Sequence, residues 1–369
     1  MNPFKYGCTV RGDYFCPRPL LQKELASRIE SGQNVVIQGE RRTGKTSLVL
    51  ETVRSMKGVS LFNADFLGIR DVAALCNRLV GAFAKLETSD GWFAKALRSI
   101  GNLRPTVSIN PSSGEPTISV DTRIAAMPTS LESVLDLLVA QTKKKRVCVV
   151  FDEFQDILDI EGGDEVLAVL RSRMQLDPDT PYVFLGSVRN RMTDIFWSPK
   201  SPFFHSAAAL KVGNIDDDDF YVFLKGRFAT GRRKFSRALY DQVSLLAHKT
   251  PGFVQEFCDA LWQISEQGEA LEARHLDAAL TTIFAREQDH YVVFVKRLTA
   301  LQAHVLKTIA ILGGKSPYSE RFLEMVGKHN ASSVKKALTK LEREDLIYQY
   351  EDECRFVNPF FGEWVRRMD

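Results

Sequence analysis

Apolar residues along the chain occur in two patterns, short unbroken runs and longer stretches with helical spacing. Beside 59–63 (Val-Ser-Leu-Phe-Asn), which reads as another strand, the runs at 34–38 (Asn-Val-Val-Ile-Gln), 147–151 (Val-Cys-Val-Val-Phe) and 182–185 (Tyr-Val-Phe-Leu) are rich in β-branched and aromatic residues. They predict buried strands. Helical spacing over 20–31, 47–56 and 72–86 places helices before and between them. Strands alternating with helices predict an α/β core around a mostly parallel sheet. The rhythm breaks at 88–130. There 92–100 reads as a helix, and Thr106-Val-Ser-Ile-Asn and Thr117-Ile-Ser-Val-Asp flank Pro111-Ser-Ser-Gly-Glu-Pro116 as an inserted β-hairpin. Such an insertion either docks a partner or DNA, or only decorates the edge of the sheet.

Beyond 215 the pattern turns helical. Asp216 to Asp219 precede a run with Phe220, Phe223, Leu224 and Phe228 at helical spacing. Carboxylates suit a helix N-terminus, so this acidic tract predicts a cap rather than a metal site. Helices at 239–247 and 253–265 follow, with Thr250-Pro251-Gly252 between them. The final stretch carries helices at 300–312, 319–326 and 332–343, then short runs at 346–350 and 354–357 around Glu351-Asp352-Glu353. Three helices followed by a hairpin predict a winged helix-turn-helix. The chain is thus expected to divide into an α/β core at 1–213, a helical lid at 214–290 and a winged helix at 291–369.

Composition narrows the class without revealing the chemistry. Among 369 residues, 49 Lys and Arg face 46 Asp and Glu, a net charge of +3, with 44% hydrophobic and 26% charged residues. These values exclude disordered, fibrous and disulfide-rich miniprotein classes. Residues 1–10 hold no apolar core of a signal peptide, and no apolar run approaches the ~20 residues of a membrane span. Six scattered cysteines without a C-x-x-C pair argue against disulfides and zinc. The expectation is a reduced, cytoplasmic protein without a membrane partner.

Chemistry enters at Gly39-Glu-Arg-Arg-Thr-Gly44-Lys45-Thr46, a full G-x-x-x-x-G-K-[ST] match between a strand and a helix. The glycines are read as permitting backbone angles that turn successive N–H groups around a phosphate, and the following helix adds its positive end. Gly39, Arg41, Arg42, Thr43, Gly44, Lys45, Thr46 and Ser47 form the expected nucleotide-binding stretch. Lys45 is expected to reach the β- and γ-phosphates of ATP, and Thr46 to ligate Mg²⁺. The run at 147–151 ends in Asp152-Glu153, about 100 residues later. Asp152 is the expected partner of Mg²⁺, and Glu153 the expected base for the attacking water. The strand at 182–185 ends in Gly186-Ser187, making Ser187 a candidate γ-phosphate contact, with Asn190 second. Arg189 and Arg191 either stabilise transition-state charge, within the chain or across a homo-oligomer, or are surface residues. Arg41 and Arg42 leave the same choice open. No N-K-x-D guanine-reading motif is present, which favours ATP over GTP.

Together, the paired-arginine P-loop, Phe151-Asp-Glu-Phe-Gln155, Gly186-Ser187, the opening Asn2-Pro-Phe-Lys-Tyr-Gly7, Phe15-Cys-Pro-Arg18 and Thr250-Pro-Gly resemble the archaeal-type AAA+ ATPases. These belong to the STAND P-loop nucleotidases and are related to origin-recognition ATPases. The resemblance runs over nearly the whole chain. It implies a sheet of order 5-1-4-3-2, a helical lid, a C-terminal winged helix and an N-terminal segment near the adenine. The lid arginine common in that family has no counterpart after Pro251-Gly252, and 201–205 lacks the family's Gly-Arg. Both departures favour a slow, nucleotide-controlled switch. The leading expectation is therefore an ATPase whose nucleotide state is coupled to a partner-binding winged helix. The alternative is an ATP-dependent DNA-binding regulator or loader with weak or no hydrolysis. Lys336, Lys340 and Arg343 form a basic stripe suited to DNA phosphates. Against DNA, residues 296–369 hold 13 basic and 10 acidic side chains, and the wing tip is acidic. A protein partner for the winged helix stays open beside DNA.

Overall fold

Strands buried on both faces account for the unbroken apolar runs. The computed structural model describes residues 2–86, 105–109, 116–120, 128–186, 189–327, 329–350 and 352–368. These fall into two units, Thr9–Gly213 and Met1–Cys8 with Asn214–Asp369. The first unit runs α1 (Pro19–Glu30), β1 (Val35–Gln38), α2 (Lys45–Ser55), β2 (Ser60–Asp65), α3 (Val72–Leu86), β3 (Pro105–Ile109), β4 (Pro116–Val120), α4 (Pro128–Thr142), β5 (Val147–Asp152), α5 (Gly163–Met174), β6 (Tyr182–Leu185), α6 (Arg189–Phe196) and β7 (Ala208–Lys211). Five strands form one sheet in the order β2-β5-β6-β1-β7, every pair parallel. Counted within the sheet this is 2-3-4-1-5, the expected 5-1-4-3-2 read from the other edge.

Side chains alternate across the sheet. On one face Val147, Val149 and Phe151 join a core with Phe62, Phe184 and residues of α3, α4 and α5. On the other, Cys148 and Val150 pack with Val35, Ile37 and residues of α1 and α2. The sheet is therefore the middle of three layers. The expected hairpin is present as β3 and β4, paired antiparallel from Pro105↔Val120 to Ile109↔Pro116. The expected helix at 92–100 lies outside the described residues. All six cysteines are free thiols, five of them buried.

The second unit comprises α7 (Asp217–Ala229), α8 (Arg237–Leu246), α9 (Pro251–Ile264), α10 (Arg274–Lys296), α11 (Ala300–Leu312), α12 (Glu320–Met325), α13 (Ala331–Arg343), β8 (Ile347–Tyr350), β9 (Glu353–Phe356) and α14 (Pro359–Arg367). Asp216 caps α7, its Oδ1 accepting from the N–H groups of Asp218 and Asp219 at 2.9 and 3.2 Å, as the acidic tract implied. The N-terminal segment belongs to this unit, with the Phe4 ring 4.6 Å from Phe228 and 6.1 Å from Trp262. Helices α11 to α13 and the β8–β9 hairpin enclose a separate core around Leu306, Phe322, Leu338 and Phe356. Helix α14 links that core to the preceding helices. Its Phe361 meets Tyr291 of α10 at 5.1 Å, while Phe360 meets Phe253 and Phe257 of α9 at 5.6 and 5.8 Å.

Candidate functional site

The loop between β1 and α2 is shaped by two glycines for different reasons. Gly44 has φ +87° and caps α2, a conformation that L side chains resist. Gly39 does not lie in the left-handed region. A Cβ added there would sit 2.3 Å from the Val212 carbonyl oxygen, so close backbone approach requires glycine. The sequence reading assigned both to unusual backbone angles, which holds for Gly44 alone. Arg42 also adopts a positive φ of 63°. Thr43 is buried, and its hydroxyl donates to the Glu40 carbonyl at 2.9 Å. Arg41 and Arg42 are exposed.

Lys45 is buried at the start of α2, its ammonium donating to the Gly39 and Glu40 carbonyls at 3.0 and 2.7 Å. Burial lowers its pKa to about 8, with the carboxylates of Glu153 and Asp152 opposing. The Thr46 hydroxyl donates to Asp152 Oδ2 at 2.8 Å, joining the loop to the end of β5. Burial raises the Asp152 pKa, against the hydrogen bond from Thr46. The Ser47 hydroxyl accepts from the Val10 N–H at 3.1 Å.

An aromatic stack supports the acidic end of β5. Phe151 and Phe154 are fully buried with rings 6.0 Å apart, and both approach Phe66 and Phe184. Glu153, between Asp152 and Phe154, has φ 48° and opens a 3-10 helix over Phe154–Asp159. Its carboxylate accepts from Gln155 Nε2 at 2.7 Å. Arg191 on α6 donates to both oxygens of Asp159 at 2.7 and 3.2 Å, with Asp156 at 3.9 Å. Its charge is therefore taken up by carboxylates of the same unit. Ser187 lies outside the described residues, as do the side chains of Arg189 and Asn190.

Two residues near the site were not singled out from sequence. Arg18, only 8% exposed, donates to the Thr43 carbonyl at 2.6 Å and to the Gly213 carbonyl at 2.9 Å. Burial lowers its pKa to about 10. Gln155 follows two positions after Glu153. The sequence signal for Arg18 was its place in the Phe15-Cys-Pro-Arg18 resemblance, and for Gln155 its place in Phe151-Asp-Glu-Phe-Gln155. Neither string says which backbone or carboxylate the side chain meets.

The arrangement suits a phosphate–metal site. Loop N–H groups and Lys45 offer positive charge, while Thr46 and Asp152 offer the hard oxygen donors that Mg²⁺ prefers. Burial of Asp152 among neutral donors is a disadvantage that a nearby cation relieves, so the residues fit that metal.

On the winged helix, Lys336, Lys340 and Arg343 are exposed along α13, where Lys335 joins them. Lys340 is paired with Glu344 at 2.5 Å. In the wing, Arg355 pairs with Glu353 at 2.9 Å. Among the described residues no helix is long and apolar enough to cross a membrane.

Residues 289–367 match a family described as a probable winged helix domain. A Walker-type ATPase of Pyrococcus abyssi superposes with TM-score 0.65 at 17% identity, covering 99% of each chain. The Orc1 protein of Aeropyrum pernix, solved in complex with DNA, gives 0.52 at 14% identity over 96% of this chain and 93% of its own. The Orc2 protein of the same organism, solved as ADPNP–ADP complexes, gives 0.52 at 15% identity over 98% and 96%. No curated protein matches the chain significantly by sequence. The chain has the fold of a P-loop AAA+ ATPase. Its C-terminal part is a winged helix, and its structural neighbours include Walker-type and archaeal origin-recognition proteins.

Proposed function

We propose that the chain binds ATP with Mg²⁺ and hydrolyses it slowly, as a switch that couples nucleotide state to a partner of its winged helix. The observation that carries this reading is the 2.8 Å hydrogen bond from Thr46 to Asp152. It brings the end of the P-loop and the acidic end of β5 together, with Lys45 and Glu153 beside them. Gly39, Thr43, Gly44 and the exposed Arg41 and Arg42 surround the phosphates, with Lys45 on the β- and γ-groups. Thr46 and Asp152 would hold Mg²⁺, which when bound neutralises phosphate charge. Glu153 takes a proton from water as the water oxygen bonds to the γ-phosphorus and the bond to the ADP oxygen breaks. Ser187 keeps its proposed place near the γ-phosphate. Arg191, tied to Asp159, enters hydrolysis only on leaving that carboxylate.

The test is a pair of variants. Lys45→Ala abolishes tight ATP binding, and Glu153→Gln keeps binding while blocking turnover. Undiminished turnover by Glu153→Gln sinks the assignment. A second reading, ATP-dependent DNA binding, is favoured by the exposed Lys335, Lys336 and Arg343 and by the likeness to a protein solved with DNA. The pairing of Lys340 with Glu344 subtracts from that stripe. Lys336→Glu with Arg343→Glu should weaken DNA binding across all sequences and flatten its salt dependence. Absence of DNA binding at low salt, with and without ATP, leaves a protein as the partner.

A further inference from the structure

Gln155 is 2% exposed, and only one end of its amide is used. The Nε2 group donates to Glu153 Oε2 at 2.7 Å and to Asp156 Oδ1 at 2.9 Å. Two carboxylates fix the direction of the amide, because only its NH₂ end can donate to them. Among the described residues the Oε1 end is left buried without a hydrogen-bond partner. It lies against Gly186 at the end of β6, where a Cβ would come within 2.6 Å of it. The same Cβ would come within 2.5 Å of Met192 Sδ, so the amide and Met192 together fill the space beside the glycine.

A buried acceptor without a partner destabilises a fold, whereas an apolar side chain of similar length would not. Gln155 is thus a poor choice for packing and a good one for donating to Glu153. We propose that Gln155 is a positioning residue for ATP hydrolysis, its amide holding the Glu153 carboxylate in one orientation. The assignment rests on the hydrolytic reading above. A carboxylate fixed in one orientation is preset for proton transfer. Asp156 steadies the amide from the far side, itself held by the Gly68 N–H at 2.8 Å.

Two variants separate this role from packing. Gln155→Met keeps the length and removes both polar ends. Its melting temperature should equal or exceed the parent's and its ADP affinity should stay within about twofold, while kcat falls at least about tenfold. Gln155→Glu keeps length and shape but puts an acceptor where the NH₂ group donated, so its kcat should fall at least as far. Retained kcat in Gln155→Met, or increased kcat, overturns the assignment. So does joint loss of stability and ADP binding, which marks a structural role. Parent protein that binds ADP but has no turnover overturns the hydrolase reading and this one with it, whereas parent turnover surviving in Gln155→Met overturns this one alone.

Discussion

Arg18→Met removes a buried cation whose hydrogen-bond acceptors are backbone carbonyls and, through its own N–H, the Gln22 amide oxygen. No carboxylate is among them. Two opposing terms set the outcome. Each charge-assisted bond, to Thr43 and to Gly213, contributes about 1.5–3 kcal/mol. Against them stands the cost of desolvating the guanidinium. Burial lowers its pKa from 12.5 to about 10, and at ~1.4 kcal/mol per unit that cost is roughly 3 kcal/mol. The two bonds together exceed that cost by no more than about 3 kcal/mol, which bounds the loss of global stability. The P-loop does not share in that offset. Its Thr43 carbonyl loses a local anchor of about 1.5–3 kcal/mol, which corresponds to roughly ten- to hundredfold weaker nucleotide binding. Titration calorimetry with Mg·ADP, beside chemical denaturation, reads both quantities. Arg18→Lys, which can reach one carbonyl but not both in a fork, should fall between parent and Arg18→Met. An ADP affinity within threefold of the parent's refutes the reasoning. A stability loss above about 4 kcal/mol refutes it too, because the two terms would then not offset.

The pKa of Lys45, lowered to about 8 by burial, predicts two pH effects with opposite readouts. Phosphate binding needs the ammonium form, so nucleotide affinity should hold below pH 8 and weaken above it, with proton uptake on binding near pH 8.5. That uptake is visible in calorimetry with buffers of different ionisation heats. Without nucleotide, the folded pKa lies below the unfolded value of 10.5. Charged Lys45 therefore destabilises the fold below pH 8, and this burden disappears as pH rises from 8 to 10.5. The stability of Lys45→Met relative to the parent should accordingly be greater at pH 7 than near pH 11 by up to roughly 3 kcal/mol. Phe360→Ala empties a fully buried position on α14 against Phe253 and Phe257, at a cost of about 3–5 kcal/mol. Denaturation followed by tryptophan fluorescence should show that loss, and a change below 1 kcal/mol would contradict it.

The elements that were legible in sequence are those whose environment is uniform. β1, β5 and β6 are buried on both faces and read as unbroken apolar runs before Gly39, Asp152 and Gly186. β7 stayed hidden because it is an edge strand with only Leu210 buried, so Ala208–Lys211 has no pattern to read. The 23-residue α10 was missed as well. Only Leu276, Ala279, Leu280, Ile283 and Tyr291 of it are buried, and Arg-Glu-Gln-Asp-His fills its middle. α14 begins at an Asn-Pro pair that reads as a turn but acts as a cap, Asn358 Oδ1 accepting from Phe360 and Phe361 N–H. In the site, the P-loop residues and Asp152-Glu153 were legible because their spacing is local. Arg18 and Gln155 were not, because what matters is the acceptor each reaches. Ser47 shows the converse: its motif position suggests phosphate, while its hydroxyl is engaged by Val10.

The left-handed backbone of Glu153 follows from the same packing that presents it. Phe151 is the last core side chain of β5, and Phe154 must return to the same aromatic cluster only three residues later. Its ring lies 4.7 Å from Phe184, 5.9 Å from Phe196 and 5.5 Å from Phe203. Continuing as a strand would alternate faces and turn Phe154 away from that cluster. A residue with φ 48° at 153 lets the 3-10 helix start at once and puts Phe154 and Gln155 inside together. A non-glycine residue in that conformation costs roughly 1–2 kcal/mol. Burial of a phenylalanine side chain, at about 1.5–3 kcal/mol, is enough to offset it. Glycine would serve the backbone better, but it could not act as a base. Glu153→Gly should therefore be more stable than Glu153→Ala by about 1 kcal/mol, the reverse of the order expected at an ordinary position, while both lack turnover. Equal stability of the two variants, or a more stable alanine, would show that position 153 carries no backbone strain.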